Sequence, residues 1–126
     1  MTDFLINAHS GWQYVALVAL LVSLFFAFRR AEMTSTAEST YRITAIVVDI
    51  QVALGIAVWV ATSAWSGEFA QAWVHPLAGL AALGVLHAFI GRARKGEPAA
   101  ANRTIRNGLV FALALVVVAI GIAEAF

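Results

Sequence analysis

Three histidines, His9, His75 and His87, are the residues of this chain best suited to bind a metal or move a proton. His9 and His75 stand at the beginnings of long apolar segments, and His87 lies inside one. An imidazole at membrane depth is costly unless it has a partner, so each is a candidate functional residue. Because imidazole is a common iron ligand, heme binding is the first chemistry that these residues suggest.

The composition indicates an integral membrane protein. The 126-residue chain is 62% hydrophobic and only 12% charged, whereas soluble domains carry about 25% charged residues. It contains no cysteine, which excludes disulfides, iron–sulfur clusters, thiolate catalysis and covalent heme attachment. The net charge of +1 gives no reason to expect a nucleic-acid partner, so membrane lipid is the first partner that we expect.

Four apolar stretches approach the length of about 20 residues that a transmembrane helix needs. They cover residues 11–28, 44–65, 73–90 and 108–126. Gly96 and Pro98 predict the end of the third helix. Nothing suggests an internal repeat or a second domain, so we predict one four-helix transmembrane domain over residues 1–126.

The basic residues predict the orientation of these helices. All eight lie in the first and third connectors: Arg29, Arg30, Arg42, Arg92, Arg94, Lys95, Arg103 and Arg106. The N-terminus, the second connector and the C-terminus carry only Asp3, Glu68 and Glu124. By the positive-inside rule we expect an all-α, up-and-down bundle with both termini outside, in the inner (plasma) membrane of a bacterium or archaeon. Aromatic residues near the outer boundary predict an interfacial belt there: Trp12, Tyr14, Trp65 and Trp73.

The depth of each histidine follows from its position along its helix. The third helix runs inward, so His75 lies at its outer end and His87 about 18 Å deeper. His9 precedes the first helix, which also starts outside, so His9 and His75 share a level. These two can therefore bind one iron from opposite sides, whereas His75 and His87 cannot.

A second polar pair is expected at the inner level. Asp49 and His87 fall at similar depth on neighbouring helices, and a hydrogen bond between them would satisfy both. Asp49 is then a structural partner, a proton relay or a group that orients a ligating imidazole. Gln13 lies four residues after His9, on the same face if the first helix extends that far, and is likewise a candidate proton relay or a group that orients a ligating imidazole. Each histidine also has a purely structural interpretation, with water or a neighbouring side chain as its partner.

Three glycines have two possible roles. Gly55, Gly79 and Gly84 fit close helix packing in lipid, which favours small residues. They can also leave room for a flat macrocycle against the helix backbone, which makes Gly55 and Gly79 candidate cofactor-binding residues.

Several short motifs resemble a family of small four-helix, cytochrome b-like membrane proteins. They are the opening His9-Ser10-Gly11-Trp12, the stretch Asp49-Ile50-Gln51-Val52-Ala53-Leu54-Gly55, the start His75-Pro76-Leu77, and His87 with the basic connector after it. The resemblance covers nearly the whole chain. In overall plan the chain is more distantly similar to one half of the heme A synthase bundle.

The resemblance implies b-type heme, held without covalent attachment by His9, His75 or His87. The family often carries histidine at the position of Asp49, so an inner site at His87 lacks one partner here. That difference favours the outer pair, His9 and His75.

We therefore expect a membrane-embedded, heme-binding subunit for electron transfer, within a larger respiratory or photosynthetic complex or in contact with quinone. We do not expect an enzyme by itself. The alternative is a heme-free accessory subunit that packs against a large membrane complex. A third possibility is a proton-conducting element built on Asp49 and His87.

Overall fold

The computed structural model describes residues 1–29 and 34–125, and this part of the chain is almost entirely helical. It contains four long helices: α1 (Thr2–Arg29), α2 (Ser35–Ala61), α3 (His75–Lys95) and α4 (Pro98–Ala125). A short 3₁₀ turn (Ala64–Ser66) and a π-helical turn (Ala70–Val74) connect α2 to α3. The prediction of an all-α four-helix bundle is confirmed.

All four helices are long and apolar enough to cross a membrane, by length and composition. Large apolar side chains cover their outward faces, such as Val18, Ile46, Leu77 and Phe111, as expected of surfaces that contact lipid. The chain is therefore described as a multi-pass membrane protein.

The helices form a ring in which sequence neighbours are also neighbours in space. α1 packs mainly against α2, and α3 mainly against α4, while thinner contacts between α1 and α4 and between α2 and α3 close the ring. α1 and α3 therefore lie diagonally across the bundle. We call the end at which α1 and α3 finish the basic end, because it carries the arginines and the lysine. The other end, with Trp59, Trp65 and Trp73, is the tryptophan end.

The predicted helix bounds are wrong at several ends because hydropathy marks only the apolar part of each helix. α1 begins at Thr2, α2 begins at Ser35 and ends at Ala61, and α4 begins at Pro98. At the start of α2, the hydroxyl of Thr34 accepts a hydrogen bond from the Ala37 backbone and so supports a polar first turn. The helices therefore continue into polar sequence beyond the apolar stretches.

Four further predictions concern the ends of the helices or of the described chain. Arg30 and the predicted helix end at Phe126 lie outside the described residues. α3 covers His75–Lys95 where residues 73–90 were predicted, and it ends directly before Gly96, the glycine predicted to stop it. His9 lies within α1 and not before it, about 10 Å from the start of the helix at 1.5 Å per residue.

Buried hydrogen bonds join three helices near the basic end. The Tyr41 hydroxyl donates to Oδ1 of Asn102 at 2.7 Å, and Nδ2 of Asn102 donates to the Ala27 carbonyl at 2.9 Å. Both polar side chains are only 1% exposed. Because lipid offers no hydrogen-bond partner, these contacts favour one arrangement of α1, α2 and α4 over its alternatives.

A second buried pair lies deeper between α1 and α2. The hydroxyls of Ser23 and Thr44 are 2.6 Å apart, and Thr44 donates to the Ala19 carbonyl at 3.2 Å. Ser23 is therefore the donor to Thr44. The two helices are thus joined by hydrogen bonds as well as by packing.

Trp12, predicted to belong to the interfacial belt, makes a hydrogen bond to a neighbouring helix. Its indole N–H donates to the backbone carbonyl of Val47, in the middle of α2, at 2.8 Å. Tyr14, Trp65 and Trp73 keep more exposed positions. Trp12 therefore joins α1 to α2, because lipid tails offer no acceptor for its indole N–H.

Gly108 lets α3 and α4 approach closely. A Cβ added at this position would overlap Cβ and Cγ of Phe89. Gly121, further along the same helix, faces open space. The closest part of the α3–α4 contact therefore depends on the absence of a side chain at Gly108.

We expect Gly108→Ala to destabilise the bundle by about 1–3 kcal/mol, the usual range for overpacking a tight contact. Thermal unfolding in detergent measures the change. Gly121→Ala is the matched control and should be neutral or slightly stabilising. Equal stability of the two variants would show that the α3–α4 contact is not tight at Gly108.

Candidate functional site

The half of the bundle toward the tryptophan end contains a cavity of about 660 Å³. All four helices and the connection between α2 and α3 line it. Its wall is mostly apolar and includes these polar side chains: His9, Ser10, Gln13, Gln51, Glu68, Gln71, His75 and Glu124. Sites for small molecules and cofactors usually have volumes of about 300–1,000 Å³ and this kind of lining.

The structure brings His9 and His75 together across this cavity. Their ring centres are 6.1 Å apart, and the ring planes are almost perpendicular, at 89°. The predicted shared level of the two histidines is confirmed. Since α1 and α3 lie diagonally across the bundle, the imidazoles meet between helices that otherwise make little contact.

A backbone hydrogen bond sets the tautomer of His75. Its Nδ1 lies 2.7 Å from the carbonyl oxygen of Ala119 on α4, and that oxygen can only accept. Nδ1 therefore carries the proton, and Nε2 of a neutral ring keeps a lone pair. Protein histidines that bind metal commonly donate one ring N–H to a carbonyl in this way.

Pro76 explains the irregular backbone just before His75. Proline has no N–H, so the Ala72 carbonyl, four residues earlier, lacks its usual helical donor. The indole N–H of Trp59 donates to that carbonyl at 2.7 Å. The His75 N–H instead bonds five residues back, to the Ala70 carbonyl, as the π-helical turn requires.

Trp59 is therefore a site residue that the sequence analysis missed. It lines the cavity and joins the end of α2 to the turn that leads into His75. Its ring also makes edge contacts with Trp65 and Trp73. The sequence feature that could have indicated it is Pro76 inside a long apolar helix, because proline leaves the backbone carbonyl one turn earlier without its helical donor.

Gly55 makes room for the imidazole of His9. A Cβ at this position would lie 2.9 Å from Cε1 of His9. Gly55 itself also lines the cavity, so its role beside a bound macrocycle stays a prediction. Gly79 does line the cavity, whereas Gly84 lies on the exposed face of α3, outside the cavity wall.

Two buried polar atoms in the cavity wall have no hydrogen-bond partner within the described residues. They are Nδ1 of His9 and Oε1 of Gln51. An unsatisfied buried polar atom costs about 1–3 kcal/mol, so both are suited to contact a ligand or water. Gln13 lines the same cavity, which confirms that it shares a face with His9.

His87 lies away from this cavity. Its Nε2 is 2.8 Å from Oδ1 of Asp49, so the predicted contact between the two side chains is confirmed. The side chains of His87 and Asp49 are 53% and 41% exposed, on the outer surface between α3 and α2. The structure therefore does not bring His87 or Asp49 to the other two histidines.

The cavity holds two histidines and no larger group of metal-binding side chains among the described residues. Among the described residues there is no group of three or more His, Cys, Asp or Glu side chains that could hold a metal ion. Structural zinc sites need about four protein ligands, whereas a macrocycle supplies four nitrogens and needs only one or two axial ligands. His9 and His75 can supply two.

No protein-family model, curated protein or solved structure matches this chain.

Removing the Trp59 hydrogen bond should weaken the tryptophan end. In Trp59→Phe the buried Ala72 carbonyl loses its donor, and we expect a destabilisation of about 1 kcal/mol, since side-chain hydrogen bonds in membrane proteins contribute about 0.6–1.7 kcal/mol. Thermal unfolding in detergent measures the change. Trp65→Phe, at a ring that contacts Trp59, should have a smaller effect; an equal effect would count against the role of the hydrogen bond.

Proposed function

We propose that this chain is a membrane-embedded, b-type heme-binding subunit that transfers electrons, with His9 and His75 as the axial ligands. The observation that supports the proposal is the meeting of these two imidazoles in a cavity, with centres 6.1 Å apart. His87 and Asp49 have no ligand role in this proposal.

The ring centres lie 6.1 Å apart, so a group bound between the two side chains would contact both imidazoles. The lone pair on Nε2 of His75 supplies one ligand atom.

The surrounding residues would tune such a site. The hydrogen bond from His75 Nδ1 to Ala119 orients the ring and increases the basicity of Nε2. The apolar wall, with Gly79 and Ala82 on α3, limits water access. Bound heme supplies one-electron transfer, while the protein sets its position and environment.

The proposed electron partner is another membrane component. Nearly all of the described chain is helix, so little of it remains to form a soluble docking domain. A neighbouring membrane subunit of a respiratory or photosynthetic complex, or a quinone, can approach within the bilayer. The cavity includes residues at the tryptophan end, which we infer faces outward by the positive-inside rule.

The first test is heme content in single histidine variants. We expect the wild-type chain, purified from a heme-supplied host, to show a Soret band and a b-type pyridine hemochrome spectrum. His9→Ala and His75→Ala should each lower the heme-to-protein ratio by about tenfold or more, because even the groups that orient metal ligands contribute about 10–100-fold to metal affinity. His87→Ala is the matched control and should retain heme.

Two further measurements separate ligand loss from misfolding. Circular dichroism and size-exclusion profiles should be unchanged in each variant, and free imidazole should restore the low-spin spectrum of His75→Gly. A wild-type chain without a Soret band contradicts the proposal. So does equal heme loss in His87→Ala, and the heme-free accessory role would then be the better interpretation.

The glycines provide a second test. Gly55→Ala should weaken heme binding by about tenfold, because the new methyl group displaces the His9 imidazole and misplacing a ligand costs a large part of its contribution. Gly79→Ala should change binding less, since its Cβ would make only an ordinary 3.9 Å contact with Val52. Titration of purified apoprotein with hemin measures both affinities, and equal affinities would argue against His9 as a ligand.

A quinone bound in the same cavity is the second candidate. Glu68 and Glu124 lie in the cavity wall, and none of its described residues is lysine or arginine, which suits a neutral ligand better than heme propionates. Nδ1 of His9, when it carries the ring proton, can donate to a quinone oxygen, and Oε1 of Gln51 can accept from the O–H of the reduced quinol. Organic extraction of the purified protein, followed by chromatography, distinguishes bound quinone from heme.

A further inference from the structure

A second concave surface lies on the outside of the bundle, separate from the histidine cavity. It has a volume of about 470 Å³ and shares no lining residue with that cavity. Its wall is formed by the end of α1 and one face of α4, and includes Phe28, Arg106, Val110, Phe111, Ala114 and Val118. We call it the α4 groove.

The polar groups of the α4 groove all lie at one end. Arg106 and Asn107 line the end closer to the basic end of the bundle, and apolar side chains line the rest. The guanidinium carbon of Arg106 lies 5.4 Å from the centre of the Phe28 ring, a cation–π distance. This contact holds the positive charge at the edge of an apolar surface.

The length of the groove matches one leaflet of a bilayer. Residues 106 to 118 span about 18 Å along α4 at 1.5 Å per residue. The hydrocarbon core of a bilayer is about 30 Å thick, so one leaflet contributes about 15 Å. Val110, Ala114 and Val118 recur every four residues, so they form one continuous strip along the helix, with the small Ala114 in its middle.

The charge distribution selects the kind of lipid. No carboxylate is among the described residues that line the groove, and the seven basic residues that the structure describes lie around the basic end. A guanidinium beside an amide N–H₂ can donate several hydrogen bonds to a phosphate. Basic pockets between membrane helices are known to bind anionic lipid headgroups.

We propose that the α4 groove binds one anionic phospholipid. Its phosphate contacts Arg106 and Asn107, and one acyl chain lies along Val110, Ala114 and Val118. A free phosphate ion would use only the polar end and leave the apolar strip uncovered. The combination of a cation and a leaflet-long apolar strip is what specifies a lipid.

The test measures lipid binding to the purified, delipidated full chain in detergent. Phosphatidylglycerol and phosphatidylcholine with identical acyl chains are titrated, and retained lipid is counted by native mass spectrometry. We expect phosphatidylglycerol to bind at least fivefold more tightly than phosphatidylcholine. Arg106→Gln should remove about a fivefold preference, which corresponds to about 1 kcal/mol for one basic residue at a lipid surface.

Matched variants separate the groove from general surface charge. Arg103→Gln removes an exposed arginine from the same helix outside the groove lining and should keep most of the preference. Ala114→Trp should fill the groove and weaken binding of both lipids, whereas Gly121→Trp, at an exposed site on α4 outside the groove lining, should not.

Three outcomes would overturn the proposal. The first is equal binding of phosphatidylglycerol and phosphatidylcholine. The second is an equal effect of Arg106→Gln and Arg103→Gln. The third is that millimolar inorganic phosphate suppresses phosphatidylglycerol binding as strongly in the Ala114→Trp variant as in wild type. Circular dichroism confirms that each variant is folded. Because the groove shares no residue with the histidine cavity, the result is independent of heme content.

Discussion

Within a bilayer, the hydrogen-bonding groups of a helix bundle can be satisfied only by the chain itself or by a ligand, because lipid tails offer neither donors nor acceptors. The two halves of this bundle meet the constraint differently. Near the basic end, the Tyr41 and Asn102 side chains bond to each other, and Asn102 also bonds to a backbone carbonyl. Toward the tryptophan end, His9 and Gln51 each keep a buried polar atom without a partner among the described residues.

This difference divides the molecule into a packed half and a half that contains the cavity. The hydrogen-bonded pairs near the basic end join α1, α2 and α4 tightly, and Gly108 brings α4 close to α3. At the other end the four helices surround a cavity of about 660 Å³. A well-packed half that holds the helices in place allows the other half to keep space for a ligand, since the helices cannot collapse into it independently.

The missing N–H of Pro76 affects the backbone and the hydrogen bonds around His75. It frees the Ala72 carbonyl, which Trp59 then binds, and it accompanies the π-helical turn that precedes His75. The His75 ring in turn bonds to the Ala119 carbonyl on α4. These contacts connect the position of His75 to α2 and α4, so the imidazole is positioned by three helices and not by rotamer preference alone.

The sequence by itself determined how far along the bundle each group lies. Counting residues from the ends of apolar segments placed His9 level with His75 and Asp49 level with His87, because each residue of a helix adds a constant rise. The basic residues likewise identified the end of the bundle that they share. Both histidine pairings survived errors in the predicted helix ends, since extending a helix leaves the spacing of the residues already in it unchanged.

Only the tertiary structure decided which way each group faces and what it contacts. The His9 ring packs against Gly55, and Trp59 donates a hydrogen bond to the Ala72 carbonyl. Trp12 donates a hydrogen bond to the Val47 carbonyl on α2. Facing depends on the rotation of each helix about its axis. That rotation is set jointly by small residues and hydrogen bonds on several helices, and nearly uniform apolar segments carry little periodic signal that could reveal it.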